Sequence, residues 1–284
     1  NDMDALKIED LTKTYPNFTL DNVSFSVPGG SVVGLIGENG AGKTTVLKAA
    51  LGLMKPDRGR VEIFGKDVTT ITGAEKSRIG VVLDDVCLPE SVTVKKVGNI
   101  MGGMIAGWDG ARYAELMRRF ALPADKEIGK LSKGMKMKTA IAVAMSHGSK
   151  LLILDEATSG LDPVARDEIL DLLYEFVTDD EHAVLMSSHI VEDLRKICDH
   201  VVFIHGGKIV FRKTSDELRD EYAVAGCSDE QLARLPQESV IRVRRTPYSL
   251  SVLMDRSVAE KCGLPYERAG IEDIMLFYIK GDEK

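Results

Sequence analysis

The sequence predicts an α/β fold with a mostly parallel core sheet, an inserted all-helical subdomain and a small α+β tail. Short apolar runs, "SVVGLIG" (31–37), "RIGVVL" (78–83), "LLILD" (151–155), "AVLMSS" (183–188) and "HVVFIH" (200–205), alternate with stretches of helical period at 43–51, 163–177 and 190–197. Strands that are apolar on both sides and separated by helices form a parallel sheet covered on both faces. Between about 84 and 149 the strand signals stop, and "VKKVGNIMGGMIAG", "GARYAELMRRFA" and "SKGMKMKTAIAVAM" read as helices, so a helical subdomain interrupts the sheet there. From 215 to 284 the composition changes. "DELRDEYAV" reads as helix, "VIRVRRT" alternates like a half-exposed strand, "YSLSVLM" is a candidate partner for it, and "IEDIMLFYIK" closes as an amphipathic helix.

Bulk properties narrow the functional classes. A chain of 284 residues that is 44% hydrophobic supports one large core plus a small appendage. Lysine and arginine number 37 against 44 acids, and the net charge of -7 gives no general attraction to nucleic acid or to an anionic membrane. Cys87, Cys198, Cys227 and Cys262 lack C-x-x-C spacing, which argues against a zinc site or a disulfide framework and points to packing residues in a reducing compartment. No apolar run reaches the roughly 18 residues that span a bilayer, and no signal-peptide pattern opens the chain, so a cytoplasmic location is expected. Asn1 and Asp2, ahead of Met3, are left out of the reasoning.

The first apolar strand runs into "GLIGENGAGKTT", where Gly37, Gly42, Lys43 and Thr44 have the spacing G-x-x-x-x-G-K-T between a strand and a helix. Glycines there, with Gly40, let backbone N–H groups curl around phosphates, and the following helix aims its partly positive end at them. Lys43 reaches the outer phosphates and the Thr44 hydroxyl is a Mg²⁺ ligand, with Asn39, Ala41 and Thr45 in the same loop. The loop explains why "LLILD" drives into two acids. Asp155 can hold the Mg²⁺ through water, the cation and Lys43 offsetting its desolvation. Glu156 can then deprotonate an attacking water. Without such a loop the two carboxylates would simply cap the strand end.

No Asn-Lys-X-Asp guanine-reading motif is present. "LSKGM" (131–135), Asp155-Glu156, "SGLD" (159–162) and "SSHI" (187–190) follow in that order, and with them residues 5–214 resemble the ATP-binding subunit of ABC transporters, a phosphate-loop ATPase family. The resemblance implies ATP and Mg²⁺ as ligands and a site shared between two facing chains. Ser132 and the backbone around Gly134 would complete the ATP site of the opposite subunit, although Ser132 by local physics is a helix N-cap. Asp162, ahead of Pro163, is likewise an N-cap and, in the family, part of a loop at the dimer interface. His189 would contact the γ-phosphate, and Tyr15 would stack on adenine, where packing is the alternative. Lys43, Glu156 and His189 are the catalytic candidates on this resemblance.

Three features depart from the family. Its usual glutamine after "RIGVVL" is Asp84, followed by Asp85, so Asp84 would serve as a shorter, charged metal ligand. The second signature glycine is Lys133, which either adds positive charge near the partner's ATP or faces solvent, and the usual glutamine is Met135. In "NIMGGMIAGW", Gly103, Met101 and Met104 read as core filling, in the subdomain where the family docks its permease. "RVRRT" (242–246) reads as a solvated strand face.

The expectation is therefore the ATP-hydrolysing subunit of a bacterial ABC transporter. It would pair with a second such subunit, bind no nucleic acid, and sit on the inner face of the cell membrane through a separately encoded permease. "GIEDIMLFYIKG" resembles the ends of drug, peptide or antibiotic export ATPases and sets the expected direction as export. The alternatives are a non-transport ABC ATPase acting on ribosomes or DNA, and a regulatory subunit that hydrolyses weakly.

Overall fold

The computed structural model describes residues 4–84 and 88–282, so Asp85 and Cys87 lie outside the described residues. The chain divides into two compact units, Asn1–Ile209 and Val210–Lys284.

The first unit opens with a sheet that the alternation of apolar residues did not announce. Strands β1 (Asp4–Tyr15) and β2 (Phe18–Pro28) form an antiparallel pair. Register shifts near Ile8, Leu11 and Lys13 and positive φ at Asp10 and Asn22 interrupt the period of two that would have marked them. β3 (Ser31–Ile36), "SVVGLI", is buried at every residue, and α1 (Lys43–Ala50) follows the glycine-rich turn. β4 (Arg58–Ile63) and β5 (Lys66–Asp67) then complete a sheet of order β2-β1-β4-β5, and α2 (Gly73–Lys76) leads to β6 (Ile79–Val82).

Helices α3 (Val94–Met104), α4 (Gly110–Arg119) and α5 (Lys133–Ala144) pack on one another and form the helical insertion. The Tyr113 hydroxyl donates to the Val94 carbonyl at 2.8 Å, and burial raises its pKa above the ordinary phenol value. One expectation fails here. Met104 is 76% exposed and fills no core, because the last turn of α3 presents it to solvent.

The chain returns with β7 (Leu151–Asp155), α6 (Pro163–Phe176), β8 (Ala183–Ser188), α7 (Val191–Ile197), β9 (His200–His205) and β10 (Lys208–Lys213). The second sheet has the order β10-β9-β3-β8-β7-β6, and β3–β8, β3–β9, β7–β8 and β6–β7 are parallel. Its strands lie between helices, so the five-residue β7 and the six-residue β8 are buried throughout. One core joins both sheets to α1 through residues such as Leu6, Ile8, Leu35, Leu47, Ile153 and Leu185. Phe203, in the middle of β9, is fully buried. Phe203→Ala is expected to destabilise this unit by about 3–5 kcal/mol, which a urea unfolding curve followed by far-UV circular dichroism would register.

The second unit continues with α8 (Ser215–Glu221), where the "DELRDEYAV" helix ends early: from Tyr222 the chain is β11 (Tyr222–Gly226), because that strand pairs with two others. α9 (Asp229–Arg234), β12 (Val240–Arg245), β13 (Leu250–Asp255), α10 (Arg256–Lys261), β14 (Tyr266–Arg268) and α11 (Ile271–Lys280) follow. The sheet order is β12-β13-β11-β14, and "VIRVRRT" pairs antiparallel with "YSLSVLM" as expected. Val243 points inward, while the Arg242 guanidinium lies 4.6 Å from the centre of the Tyr278 ring. Among the other cysteines, Cys198 and Cys227 are half-buried but Cys262 is exposed and packs no core.

Candidate functional site

Parallel strands end together, and the ends of β3 and β7 flank that of β8. The loops after them build one concave site at the carboxyl edge of the sheet, where open α/β sheets place ligands. The cavity measures about 300 Å³ and is lined by Phe18, Glu38, Asn39, Gly40, Gly42, Lys43, Thr44, Thr45, Asp84, Asp155 and Glu156.

The loop geometry follows from its glycines. Gly42 has φ 114° at the N-cap of α1, a left-handed value costly for any residue with a side chain. A Cβ on Gly37 would stand 2.4 Å from the Ile204 carbonyl oxygen, so only glycine lets the loop pass β9. Lys43 is 7% exposed, and its ammonium donates to the carbonyls of Gly37 (2.7 Å) and Glu38 (3.3 Å). It also lies 3.6 Å from Glu156 Oε1.

Asp155 and Glu156 are held differently. The Thr44 hydroxyl donates to Asp155 Oδ2 at 3.4 Å, and the Ser187 hydroxyl donates to Asp155 Oδ1 at 2.5 Å. Glu156 has φ 51°, a left-handed conformation unusual for a non-glycine residue. Its N–H donates to Ser187 Oγ (3.0 Å) and to the Ser187 carbonyl (3.2 Å), which secures that bend. Its carboxylate turns back over the cavity, where His189 Nδ1 contacts Oε2 at 2.6 Å. One carboxylate thus sits between an ammonium and an imidazole.

Ser132, Gly134 and Asp162 do not line this cavity. They lie beside one another elsewhere: a Cβ on Gly134 would sit 3.9 Å from Asp162 Oδ2. Both expected caps are present, Ser132 Oγ accepting from Met135 N–H at 3.3 Å and Asp162 Oδ1 from Val164 and Ala165 N–H at 3.1 and 3.0 Å. The Ala165 amide, and then that of Val164, keeps the Asp162 carboxyl below its ordinary pKa. Two of the residues that depart from the family's pattern meet, with Lys133 Nζ 3.9 Å from Asp84 Oδ1, an exposed pair of small energetic weight.

Tyr15 is 38% exposed and stacks on Phe18 with centroids 6.4 Å apart. Phe18 is the aromatic at the cavity wall. The sequence reading missed it, as it missed Glu38, which meets His205 Nδ1 at 3.0 Å, and the bracing role of Ser187. The only available signals were that Phe18 follows the β1 turn and that Ser187 opens "SSHI".

No group of three or more His, Cys, Asp or Glu side chains among the described residues is arranged to hold a metal alone. A hydroxyl and a carboxylate 3.4 Å apart are nevertheless hard oxygen donors of the kind Mg²⁺ takes when phosphates and water supply its other ligands. Thr44 and Asp155 therefore fit that ion; Asp84 shares the cavity lining. A second, apolar groove of about 350 Å³ lies between β6 and the helical insertion and includes Val81, Leu83, Met101, Ile105, Val143 and His147.

Comparison with known proteins follows the same lines. The family model described as "ABC transporter" matches residues 20–159. The chain is 34% identical over 217 residues to the bacitracin transport ATP-binding protein BcrA of Bacillus licheniformis, covering 75% of this chain and 71% of that one. It is 31% identical over 237 residues to the phosphonates import ATP-binding protein PhnC of Treponema denticola, covering 76% and 92%. A solved structure described as the ATP-binding subunit of an ABC transporter superposes with a TM-score of 0.69 at 30% identity, covering 76% of this chain and 92% of that one.

Proposed function

Because the chain belongs to the ABC transporter family, whose ATP-binding proteins it matches over most of their length, we propose that it works as one of two facing ATPase subunits that drive a membrane permease, and that the transport is outward. It is an ATP-binding subunit of a transporter, an ATPase whose ligands are ATP and Mg²⁺. The observation that carries the mechanism is the position of Glu156, anchored at its backbone by Ser187 and approached by Lys43 and His189.

Each step falls to a residue of this chain. The loop from Gly37 to Thr45 binds the phosphates, and Lys43 leans from the Gly37 carbonyl toward the outer ones. Thr44 and Asp155 would hold Mg²⁺, which when bound would neutralise charge on the phosphate oxygens. Glu156 accepts the proton of a water whose oxygen bonds to the terminal phosphorus as the bridging O–P bond breaks, giving ADP and inorganic phosphate. His189 holds the Glu156 carboxylate and on this reading contacts the terminal phosphate. Ser132, Gly134 and Asp162 stand apart from this chain's own cavity, which supports a role toward the ATP of a facing subunit.

Asp84 adds a carboxylate to a cavity that already holds Glu38, Asp155 and Glu156 against one lysine. Asp84→Gln is expected to tighten metal-free ATP binding about threefold to tenfold and to change Mg²⁺-ATP binding less, since the cation screens the repulsion. Fluorescent ATP titration with and without EDTA measures both.

No helix of the described residues is long and apolar enough to cross a membrane. A permease on another chain, engaging the apolar groove beside Met101, would keep this protein at the inner face of the membrane. Outward transport is supported by the closing "GIEDIMLFYIKG" segment and by the likeness to a bacitracin transport protein. Affinity purification from membranes should recover an integral membrane protein, and co-expression of that protein should give ATP-dependent accumulation of its substrate in inside-out vesicles. Recovery of ribosomes, or accumulation only in right-side-out vesicles, would reverse the reading.

A further inference from the structure

One buried cluster has no part in the chemistry above. Asp193, in the first turn of α7, is 2% exposed. Such a carboxylate is costly unless it is paired. Its partner is Arg166 of α6, whose Nε stands 3.8 Å from Asp193 Oδ1, beyond a normal hydrogen bond. Thr158, on the turn after Glu156, is fully buried beside them. Thr158 Oγ1, Arg166 Nε and Asp193 Oδ2 are all buried, and each lacks a hydrogen bond of normal geometry. Burial pushes the Asp193 carboxyl above its ordinary pKa, while Thr158 and Arg166, and more weakly His189, pull it down.

Each of the three segments that converge here carries a site residue. Thr158 lies two positions after Glu156, Arg166 donates its backbone N–H to the Asp162 carbonyl at 3.1 Å, and Asp193 lies four positions after His189. Exposed pairs also join α6 to α7, such as Lys196 with Asp171 at 2.9 Å, but solvent makes these weak. Here the facing polar atoms are buried, although the rest of the Arg166 side chain is partly exposed, and a shift of about 1 Å would turn the Arg166–Asp193 gap into a direct charge-assisted bond.

We propose that Asp193, with Arg166 and Thr158, is a buried positioning residue that ties the segment bearing His189 to the helix beginning at Asp162, so that movement at one is felt at the other. This rests on the reading of Glu156, His189 and Asp162 given above. Asp193 touches no reacting atom; it acts through the backbone of α7 and its loop.

The test uses the full chain with Asp193→Asn, Arg166→Gln, the double variant, and the charge-preserving Arg166→Lys. In the nucleotide-free protein, the His189 ring Cε1–Hε1 resonance should move in the first two. Those of His147 and His182, whose rings contact the carbonyls of Ser77 and Phe176, should stay. Steady-state kinetics should show kcat lowered about tenfold with KM for ATP within about twofold. The double variant should be no slower than either single one, because one link is cut, and Arg166→Lys should retain most of the rate. An active wild type whose folded variants keep its His189 resonance and kcat overturns the proposal, as does additivity. An inactive wild type overturns instead the reading on which it rests. If Asp193→Asn fails to fold, the two Arg166 variants decide the matter by the same criteria.

Discussion

Glu156→Gln is expected to lower ATP turnover by about a hundredfold to ten-thousandfold, the usual contribution of a positioned general base, while leaving ATP binding intact. The amide keeps the shape of the carboxylate and the contact with His189 Nδ1, now 2.6 Å from Oε2, but cannot take the water's proton. Removing the negative charge also removes the 3.6 Å attraction that holds Lys43 toward Glu156, freeing the ammonium for the phosphates. The variant should therefore accumulate in its ATP-bound, paired form. Phosphate release measures the first effect, and light scattering with saturating Mg²⁺-ATP should show the mass doubling. A monomer under those conditions contradicts the facing-pair arrangement, whatever the rate.

Lys43→Ala should act one step earlier, weakening ATP binding roughly a hundredfold, the equivalent of one strong charge-assisted hydrogen bond of about 3 kcal/mol. Lys43 is 7% exposed and its ammonium is already oriented by the Gly37 carbonyl, so little is lost in bringing it to the phosphates. Alanine also leaves the Glu156 carboxylate with its contact to the His189 ring but without the facing ammonium. Lys43→Arg should not restore binding, because a planar guanidinium does not fit the space of a compact ammonium. Isothermal titration with ATP reads both variants, and an affinity within twofold of wild type for Lys43→Ala would sink the assigned role.

Much of the site was legible because its grammar is local. A strand, glycines at set offsets and a helix start dictate backbone torsions within a dozen residues, so Lys43 and Thr44 could be assigned from spacing alone. The caps at Ser132 and Asp162 were legible for the same reason. Phe18 was not, since nothing local separates an aromatic that walls a cavity from one that packs. Nor was the antiparallel β2-β1-β4-β5 sheet, whose bulges and left-handed residues broke the alternation that identifies strands. Met104 misled in the other direction: an apolar side chain in a helix reads as core until the packing partner is known, and here that side of α3 is open.

What the amino-acid order determined by itself is the set of short-range devices: the phosphate loop, the acid pair at the end of an apolar strand, the helix starts, and the periodicities that make strands and helices alternate. Only the tertiary structure decided which charges meet. Thr44 and Asp155 lie 111 residues apart, Glu156 and His189 lie 33 apart, and Arg166 reaches Asp193 from another helix. Those meetings depend on β8 lying between β3 and β7 in a particular register, which is chosen by the burial of whole strand faces rather than by any residue's neighbours in sequence.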